Sequence, residues 1–299
     1  MPAEIVVLHF LHSDPSSRTV VDNAESIVDI PRNFRKIFYA ISESAFKLVK
    51  YITKNRDSAV IIENIASITL DSEMKELAKE ARHIFPRGLP SSSSELNFSQ
   101  MQFLYVYGGF SYAVTMGLID KTYDDDLTYF DLEKEILGKY ASLPISKKPP
   151  ELLAKAEQTH EYRSLAQAEK VAETTGKKVL LVYGKFHPFT DVARCFPNIK
   201  LSFEDVSGNL PLNKASLDLN QAILTSRPSV DCHNLGFFGK AKSIPNTKPI
   251  PNTKPQWNYG MAFVGIAATG LLLYGLYRCC RSRRKNENTK TQQKNSKHG

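Results

Sequence analysis

Three residues with chemically active side chains follow apolar runs that predict β-strands. His12 comes after the β-branched run 4–10, Glu63 follows the short run 58–62, and His187 follows residues 179–182 in the stretch KKVLLVYGKFH. Gly184 allows a tight turn after the last of these strands, which puts His187 on a loop beside the strand tip. In open α/β sheets ligands bind beyond the carboxyl ends of strands. The three residues are therefore candidates for a functional site.

The elements that must position them alternate between helix and strand. Apolar residues recur at helical spacing over 33–54, charged helical patterns cover 72–84 and about 151–175, and a further strand is expected near 199–206. The stretch 102–110 is compatible with a strand or a helix. This alternation predicts an α/β fold, a mainly parallel sheet with helices on both faces, plus one C-terminal transmembrane helix.

The long helix before the last strand carries two further candidates, His160 and Arg163. The order strand-His, strand-Glu, arginine-bearing helix and strand-GxxH resembles the superfamily of TraB-like, Tiki, ChaN-like and erythromycin-esterase-like proteins. Members carry two GxxH motifs, and the second is intact here over residues 184–187. The first departs from the pattern, because His9 stands where the family has Gly. The resemblance covers roughly residues 4–205.

The resemblance implies a metal-dependent hydrolase, with peptidases among the members. His12, Glu63 and His187 would hold a divalent metal ion with open positions for water, and the metal would lower the pKa of that water. Arg163 would orient an acidic group or stabilise an oxyanion. ChaN-like members are instead associated with haem or iron, so the superfamily does not fix one reaction. The alternative is a non-catalytic, tail-anchored interaction protein that keeps the fold and binds a protein or peptide partner; His9 in place of Gly favours it.

Charge and cysteine content exclude other classes. The net charge is +8, but eight Lys/Arg and one Glu lie from Arg278 to the end, so the rest is nearly neutral and nucleic-acid binding is not expected. The four cysteines are too few for a disulfide framework, and Cys195 is interpreted as buried packing in a reducing compartment. The acidic run 124–126 lacks EF-hand spacing and is interpreted as a solvated loop.

The C-terminal part has a different composition from the domain predicted over 1–240. Residues 241–256 contain the repeat IPNTKP twice and predict an extended spacer. Residues 257–278 predict a transmembrane helix: 259–277 are 19 residues without a formal charge, about 28 Å long at roughly 1.5 Å per residue. Residues 279–299 form a basic tail.

Two signals conflict over how the chain lies in the membrane. The positive-inside rule keeps the basic tail in the cytoplasm and puts the domain on the far side, yet the N-terminus shows no export signal. We expect a tail anchor, in which the short tail crosses and residues 1–256 stay in the cytosol. The moderate hydrophobicity of the span and its basic flank favour the mitochondrial outer membrane. The substrate and oligomeric state are not predicted.

Overall fold

Four apolar, β-rich runs form one parallel sheet. In the computed structural model, which describes residues 2–13, 15–65, 72–208 and 214–235, the strands are Ala3–Phe10 (β1), Ala59–Ile62 (β2), Val179–Gly184 (β3) and Ile199–Asp205 (β4). Their order is β2-β3-β1-β4, and every pair is parallel. The predicted α/β class with a mainly parallel sheet is confirmed. Because β3 lies between β2 and β1, the carboxyl ends of these three strands are neighbours.

Helices connect the strands at the places where periodic patterns predicted them. Helix α6 begins with proline at its first turn and ends at Gly176, whose φ of 64° is the left-handed conformation that favours glycine. The stretch that was compatible with strand or helix is helical, with a kink at Gly108. Within the described residues the helices are Pro15–Asp22 (α1), Arg35–Lys54 (α2), Ser72–Ile84 (α3), Phe98–Thr115 (α4), Tyr129–Leu137 (α5), Pro150–Thr175 (α6), Lys214–Thr225 (α7) and Cys232–Leu235 (α8).

Alternate side chains of the strands enter two different cores. On one face Val7, Leu181 and Ile61 pack against Leu165 of α6, together with other buried side chains. On the other face the intervening strand residues pack against α2 and α4. Side chains of β1 and β3 are buried on both faces, as the near-continuous apolar runs of a covered parallel sheet require. Helices therefore cover both faces of the sheet, as predicted.

The two cysteines of the domain are joined, which corrects the sequence-based interpretation. The sulfurs of Cys195 and Cys232 form a disulfide with their Cα atoms 5.5 Å apart. Cys195 is thus a covalent tether and not simple packing, and the inference of a reducing compartment loses its basis. Spacing could not reveal the pair, because 37 residues separate the two cysteines in sequence.

The predicted spacer, transmembrane helix and basic tail lie outside the described residues and stay predictions. No helix within the described ranges is both long and apolar enough to span a bilayer.

Candidate functional site at the carboxyl edge of the sheet

The structure brings the three strand-end residues together around Gly184. Glu63, His187 and His12 follow β2, β3 and β1, which are neighbours in the sheet. A Cβ atom on Gly184 would lie 3.4 Å from Glu63 Oε2, 3.6 Å from His187 Cδ2 and 3.7 Å from His12 Nε2. Two of these atoms can be no further apart than the sum of their distances from that Cβ position, so the three groups lie close together. The missing side chain at Gly184 leaves space where the three groups meet.

Glu63 and His187 form an ion pair on the partly open side of this space. His187 Nε2 lies 3.5 Å from Glu63 Oε1, and the two side chains are 14% and 18% exposed. The backbone N–H of Gly184 donates to Glu63 Oε2 at 2.8 Å. Burial would raise the pKa of Glu63, but the charge and hydrogen bond of His187 and the Gly184 N–H lower it to about 2. Glu63 is therefore a carboxylate at neutral pH.

A fully buried carboxylate holds the other nitrogen of His187. His187 Nδ1 donates to Glu161 Oε1 at 3.2 Å, and the side chain of Glu161, on α6, has no exposed surface. Burial would lower the pKa of His187, but the carboxylates of Glu63 and Glu161 outweigh it and keep the pKa well above its usual value of 6.5. The imidazole is thus charged and fixed in orientation.

Arg227 forms an ion pair with Glu161. Its Nη1 and Nη2 atoms donate to the two oxygens of Glu161 at 3.1 and 2.5 Å, which is the bidentate geometry of a strong arginine–carboxylate pair. Its Nε also donates to Asp191 at 2.9 Å. We name Glu63, Glu161, His187 and Arg227 the His187 cluster. Sequence analysis missed Glu161 and Arg227; the helical spacing of Glu157 and Glu161 on α6 was the one available signal.

Two residues, His9 and Lys185, hold the loop after β3 in place. His9, which replaces the glycine of the first motif, hydrogen-bonds through Nε2 to the backbone oxygen of His187 at 2.8 Å. Its ring also stacks on Phe203 of β4 at 5.7 Å. Lys185 donates to the backbone oxygen of Gly208 at 2.8 Å, away from the pocket. Both contacts fix the position of the GxxH loop.

A second polar cluster lies beside the first and is buried. The hydroxyl of Tyr183 donates to Asp125 Oδ2 at 2.8 Å, lies 2.8 Å from His160 Nε2 and also contacts the hydroxyl of Ser164. The backbone N–H of Asn64 donates to the same oxygen of Asp125 at 2.8 Å. Burial, with the charge of Asp125, raises the pKa of Tyr183 well above 10.0, so the phenol is neutral. We name Asp125, His160, Ser164 and Tyr183 the Tyr183 cluster.

The acidic run 124–126 is not the solvated loop that the sequence suggested. The chain before it makes a parallel bridge with the outer edge of β2, since the Tyr123 N–H donates to the Val60 oxygen at 2.8 Å. Asp124 is exposed, as expected, but Asp125 and Asp126 lie at the carboxyl edge, where Asp125 is 5% exposed. Composition alone cannot show that a bridge to β2 carries these residues into the edge of the sheet.

Arg163 forms an ion pair with Asp126 beside the Tyr183 cluster. Its Nε lies 3.1 Å from Asp126 Oδ2, and His160 Nδ1 lies 3.5 Å from the same oxygen. Successive residues of an α-helix are about 100° apart, so Glu161 and Arg163 leave α6 in nearly opposite directions. Among the described residues, the arginine that contacts Glu161 is therefore Arg227 and not Arg163.

The donor groups fit a divalent metal ion in kind but not in placement. Two imidazoles and a carboxylate are suitable ligands, and a histidine whose other nitrogen is held by a carboxylate is usual in metal centres. Both nitrogens of His187, however, face carboxylates here. Among the described residues no group of three or more His, Cys, Asp or Glu side chains is arranged to hold a metal ion. We assign no step to a metal.

An open cleft adjoins the rear of the His187 cluster. Its volume is about 570 Å³, and it begins one residue after His187. Arg227 of the cluster lines the cleft, and so does Asp191, which accepts a hydrogen bond from Arg227. The cleft therefore lies beside the arginine that holds Glu161. The lining residues are Pro188, Thr190, Asp191, Arg194, Leu224, Arg227, Pro228, Ser229 and Val230.

Comparison of the chain with protein-family models, with curated proteins and with solved structures gave no match. The resemblance to the TraB/Tiki/ChaN superfamily therefore stays a prediction from the residues quoted above.

Proposed function

We propose that the carboxyl edge of the sheet is a hydrolytic site in which His187 is the general acid. The observation that carries the proposal is that two carboxylates contact the two nitrogens of one imidazole. Glu161 fixes Nδ1 from a fully buried position, while Nε2 faces the partly open carboxylate of Glu63. A charged, oriented histidine at an accessible strand edge is the arrangement that donates a proton to a leaving group.

In the proposed reaction, water attacks the electrophilic carbon or phosphorus of an ester-like substrate. The exposed imidazole of His12 takes a proton from this water. His187 Nε2 gives its proton to the leaving oxygen, so one bond is cleaved and one water is consumed. When substrate forms hydrogen bonds with Glu63, the carboxylate of Glu63 would bind the His187 proton less strongly. Glu161 and Arg227 act through His187 and do not contact substrate.

A metal-dependent version of this hydrolase is the second candidate. It is favoured by the convergence of His12, Glu63 and His187 beside Gly184, where a Cβ atom would lie 3.4 to 3.7 Å from each of them. It requires these side chains to rearrange, because His187 would have to lose its proton to bind a metal ion. The superfamily resemblance supports this candidate, whereas the ion pair supports the metal-free one.

Hydrolysis by the full-length protein in mild detergent tests the proposal. We would measure turnover of p-nitrophenyl acetate and bis(p-nitrophenyl) phosphate by wild type, His187→Gln and the control His83→Gln, which changes an exposed histidine. We expect His187→Gln to lose about 100-fold or more, and His83→Gln to match wild type. Equal rates for both variants, or no turnover by wild type, would contradict the proposal and favour the interaction protein.

The same assay separates the two candidates. Dialysis against EDTA leaves a metal-free acid–base site active. Loss of activity that returns with added zinc or manganese would establish the metal-dependent version.

The membrane anchor is a further proposal from the sequence, and the disulfide bears on its orientation. Disulfides persist in oxidising compartments, so Cys195–Cys232 favours the domain on the far side of the membrane and the basic tail in the cytoplasm. This orientation is the alternative to the tail anchor expected from the sequence. Acid-quenched cells treated with maleimide-polyethylene glycol under denaturing conditions should show two unreactive cysteines; modification of all four would contradict this orientation.

A further inference from the structure

Strand β4 is an edge strand with little cover on either face. It pairs with β1 on one side only, and in the part of the chain that the structure describes no strand pairs with its other side. From Lys200 on, five of its six residues are exposed, including Phe203 at 40%. Parallel sheets are normally covered, and exposed edges are normally blocked or paired. Among the described residues this edge therefore lacks a partner.

The backbone groups on the free side can be identified from the pairing with β1. The Asn198 oxygen accepts from Ala3, and the Val206 N–H donates to His9, so even-numbered residues direct their groups toward β1. Consecutive residues in a strand alternate in this respect. Leu201, Phe203 and Asp205 therefore direct their N–H and C=O groups away from the sheet.

The sequence of β4 is complementary to its own reverse. If two copies pair antiparallel around Ser202, Lys200 lies opposite Glu204 of the partner subunit and Leu201 lies opposite Phe203 of the partner subunit. Leu201 and Phe203 then form the hydrogen-bonded pair, because their backbone groups face outward. A shift of the register by two residues places Lys200 opposite Ser202 or Val206, so it loses the charge pair.

The charged residues of this pairing are available. Lys200 and Glu204 are exposed, and within the described residues neither forms an ion pair. Cross-strand pairs of opposite charge and of apolar side chains are the interactions that stabilise antiparallel strand pairing. Two-fold symmetry repeats each of these pairs, so every contact occurs twice.

We propose that β4 is the interface of a two-fold symmetric homodimer, in which the sheets of two subunits join antiparallel through this edge. The occupant of the edge is a second copy of the chain, because the charge pattern is self-complementary. Phe203 stacks on His9, which hydrogen-bonds to the backbone of His187, so the interface adjoins the candidate site. The inference does not depend on the hydrolase proposal.

Cysteine crosslinking tests the register in the full-length protein in mild detergent. In a background with Cys279→Ser and Cys280→Ser, Ser202→Cys puts two thiols opposite each other in a non-hydrogen-bonded pair, where Cα atoms are about 4.5 Å apart. We expect mild oxidation to give a covalent dimer on a non-reducing gel. The matched control Lys200→Cys faces Glu204 of the partner subunit and should give little. Equal crosslinking of both, or of neither, would overturn the proposal.

Charge reversal tests the pairing by a second measurement. By sedimentation equilibrium we expect Lys200→Glu to weaken the dimer about 10-fold, since two attractive pairs become repulsive. The double variant Lys200→Glu with Glu204→Lys should return to within about 3-fold of wild type. These side chains are exposed, and unchanged circular dichroism would verify the fold. A monomer at all concentrations, or a dimer insensitive to both changes, would contradict the interface.

Discussion

Two polar clusters lie side by side at the carboxyl edge of the sheet and differ in their access to solvent. In the His187 cluster, ion pairs dominate, and three of the four side chains are partly exposed. In the Tyr183 cluster, hydrogen bonds to one neutral phenol dominate, and the Tyr183, His160 and Ser164 residues have no exposed surface. Polar groups of similar type are thus arranged differently: the first cluster holds a charged imidazole at an opening, and the second gathers buried polar groups around one phenol, with Asp125 Oδ1 left without a hydrogen-bond partner among the described residues.

The disulfide gives the largest expected effect and separates the two clusters. It ties Cys232, five residues after Arg227, to Cys195, so it supports the rear of the His187 cluster. Replacing both with alanine is expected to cost about 2–4 kcal/mol in the free energy of unfolding. Hydrogen exchange should quicken in residues 226–235 and not in 122–126.

The control for this prediction is reductant. Dithiothreitol should lower the melting temperature of wild type and leave the double-alanine variant unchanged. Equal quickening of exchange in both segments would show that the disulfide does not act on one cluster selectively.

Removing the central hydroxyl of the Tyr183 cluster is expected to have the next largest effect. Tyr183→Phe leaves Asp125, His160 and Ser164 buried without their shared partner, which should cost about 2–3 kcal/mol in the free energy of unfolding. Urea denaturation measures this cost. Ester hydrolysis by the folded variant should stay within a few-fold of wild type.

Tyr162→Phe is the matched control. Tyr162 packs on Phe196 through its ring and lies on a different face of α6 from the residues of both clusters. It should lower the free energy of unfolding by well under about 1 kcal/mol, which is the size of an ordinary surface substitution. If Tyr183→Phe were as mild as this control, the buried network would not stabilise the fold.

The ion pair of the His187 cluster gives the smallest effect on stability, and that effect depends on pH. The pKa of Glu63 is lowered from 4.5 to about 2, so its contribution is complete above pH 4.5 and is lost as the pH falls toward 2. The pKa of His187 is raised from 6.5, so its contribution is complete below pH 6.5 and is lost as the pH rises through the raised pKa. Both are complete only between these limits.

Glu63→Gln should therefore lower the free energy of unfolding by about 1–2 kcal/mol between roughly pH 4.5 and 6.5, and by less outside that window. Urea denaturation of the variant and wild type across the pH range measures the difference. A difference that does not change with pH would show that the ion pair does not form.

Most of the fold could be predicted from the sequence, because each strand is a distinct apolar run and helices α2, α3 and α6 have helical patterns; the evenly apolar stretch in α4 left strand and helix open. The convergence of His12, Glu63 and His187 also followed, since residues after neighbouring parallel strands must meet at one edge. The ion pair of Arg163 with Asp126 did not follow, because the partner of a helical residue depends on the rotation of the helix against the sheet.

Glu161, Arg227 and the disulfide were beyond sequence reasoning for a related reason. Arg227 and Cys232 lie in and beside an irregular segment after α7, where no periodicity indicates which way a side chain points. Arg227 contacts Glu161 and Cys232 bonds to Cys195 only because the fold brings this segment back beside those residues. Asp125 was missed because its burial depends on the segment that bridges to the edge of β2.

The central claim is that His187 is a charged imidazole held between two carboxylates, and its titration by NMR is the most direct test. The ¹H–¹³C signals of the seven histidines would be followed in wild type from pH 5 upward, with His187→Gln assigning one of them. We expect the His187 signal to titrate well above pH 6.5 in wild type and at a lower pH in Glu161→Gln, because Glu161 stabilises the charge. A His187 signal that titrates near 6.5 in wild type would contradict the account.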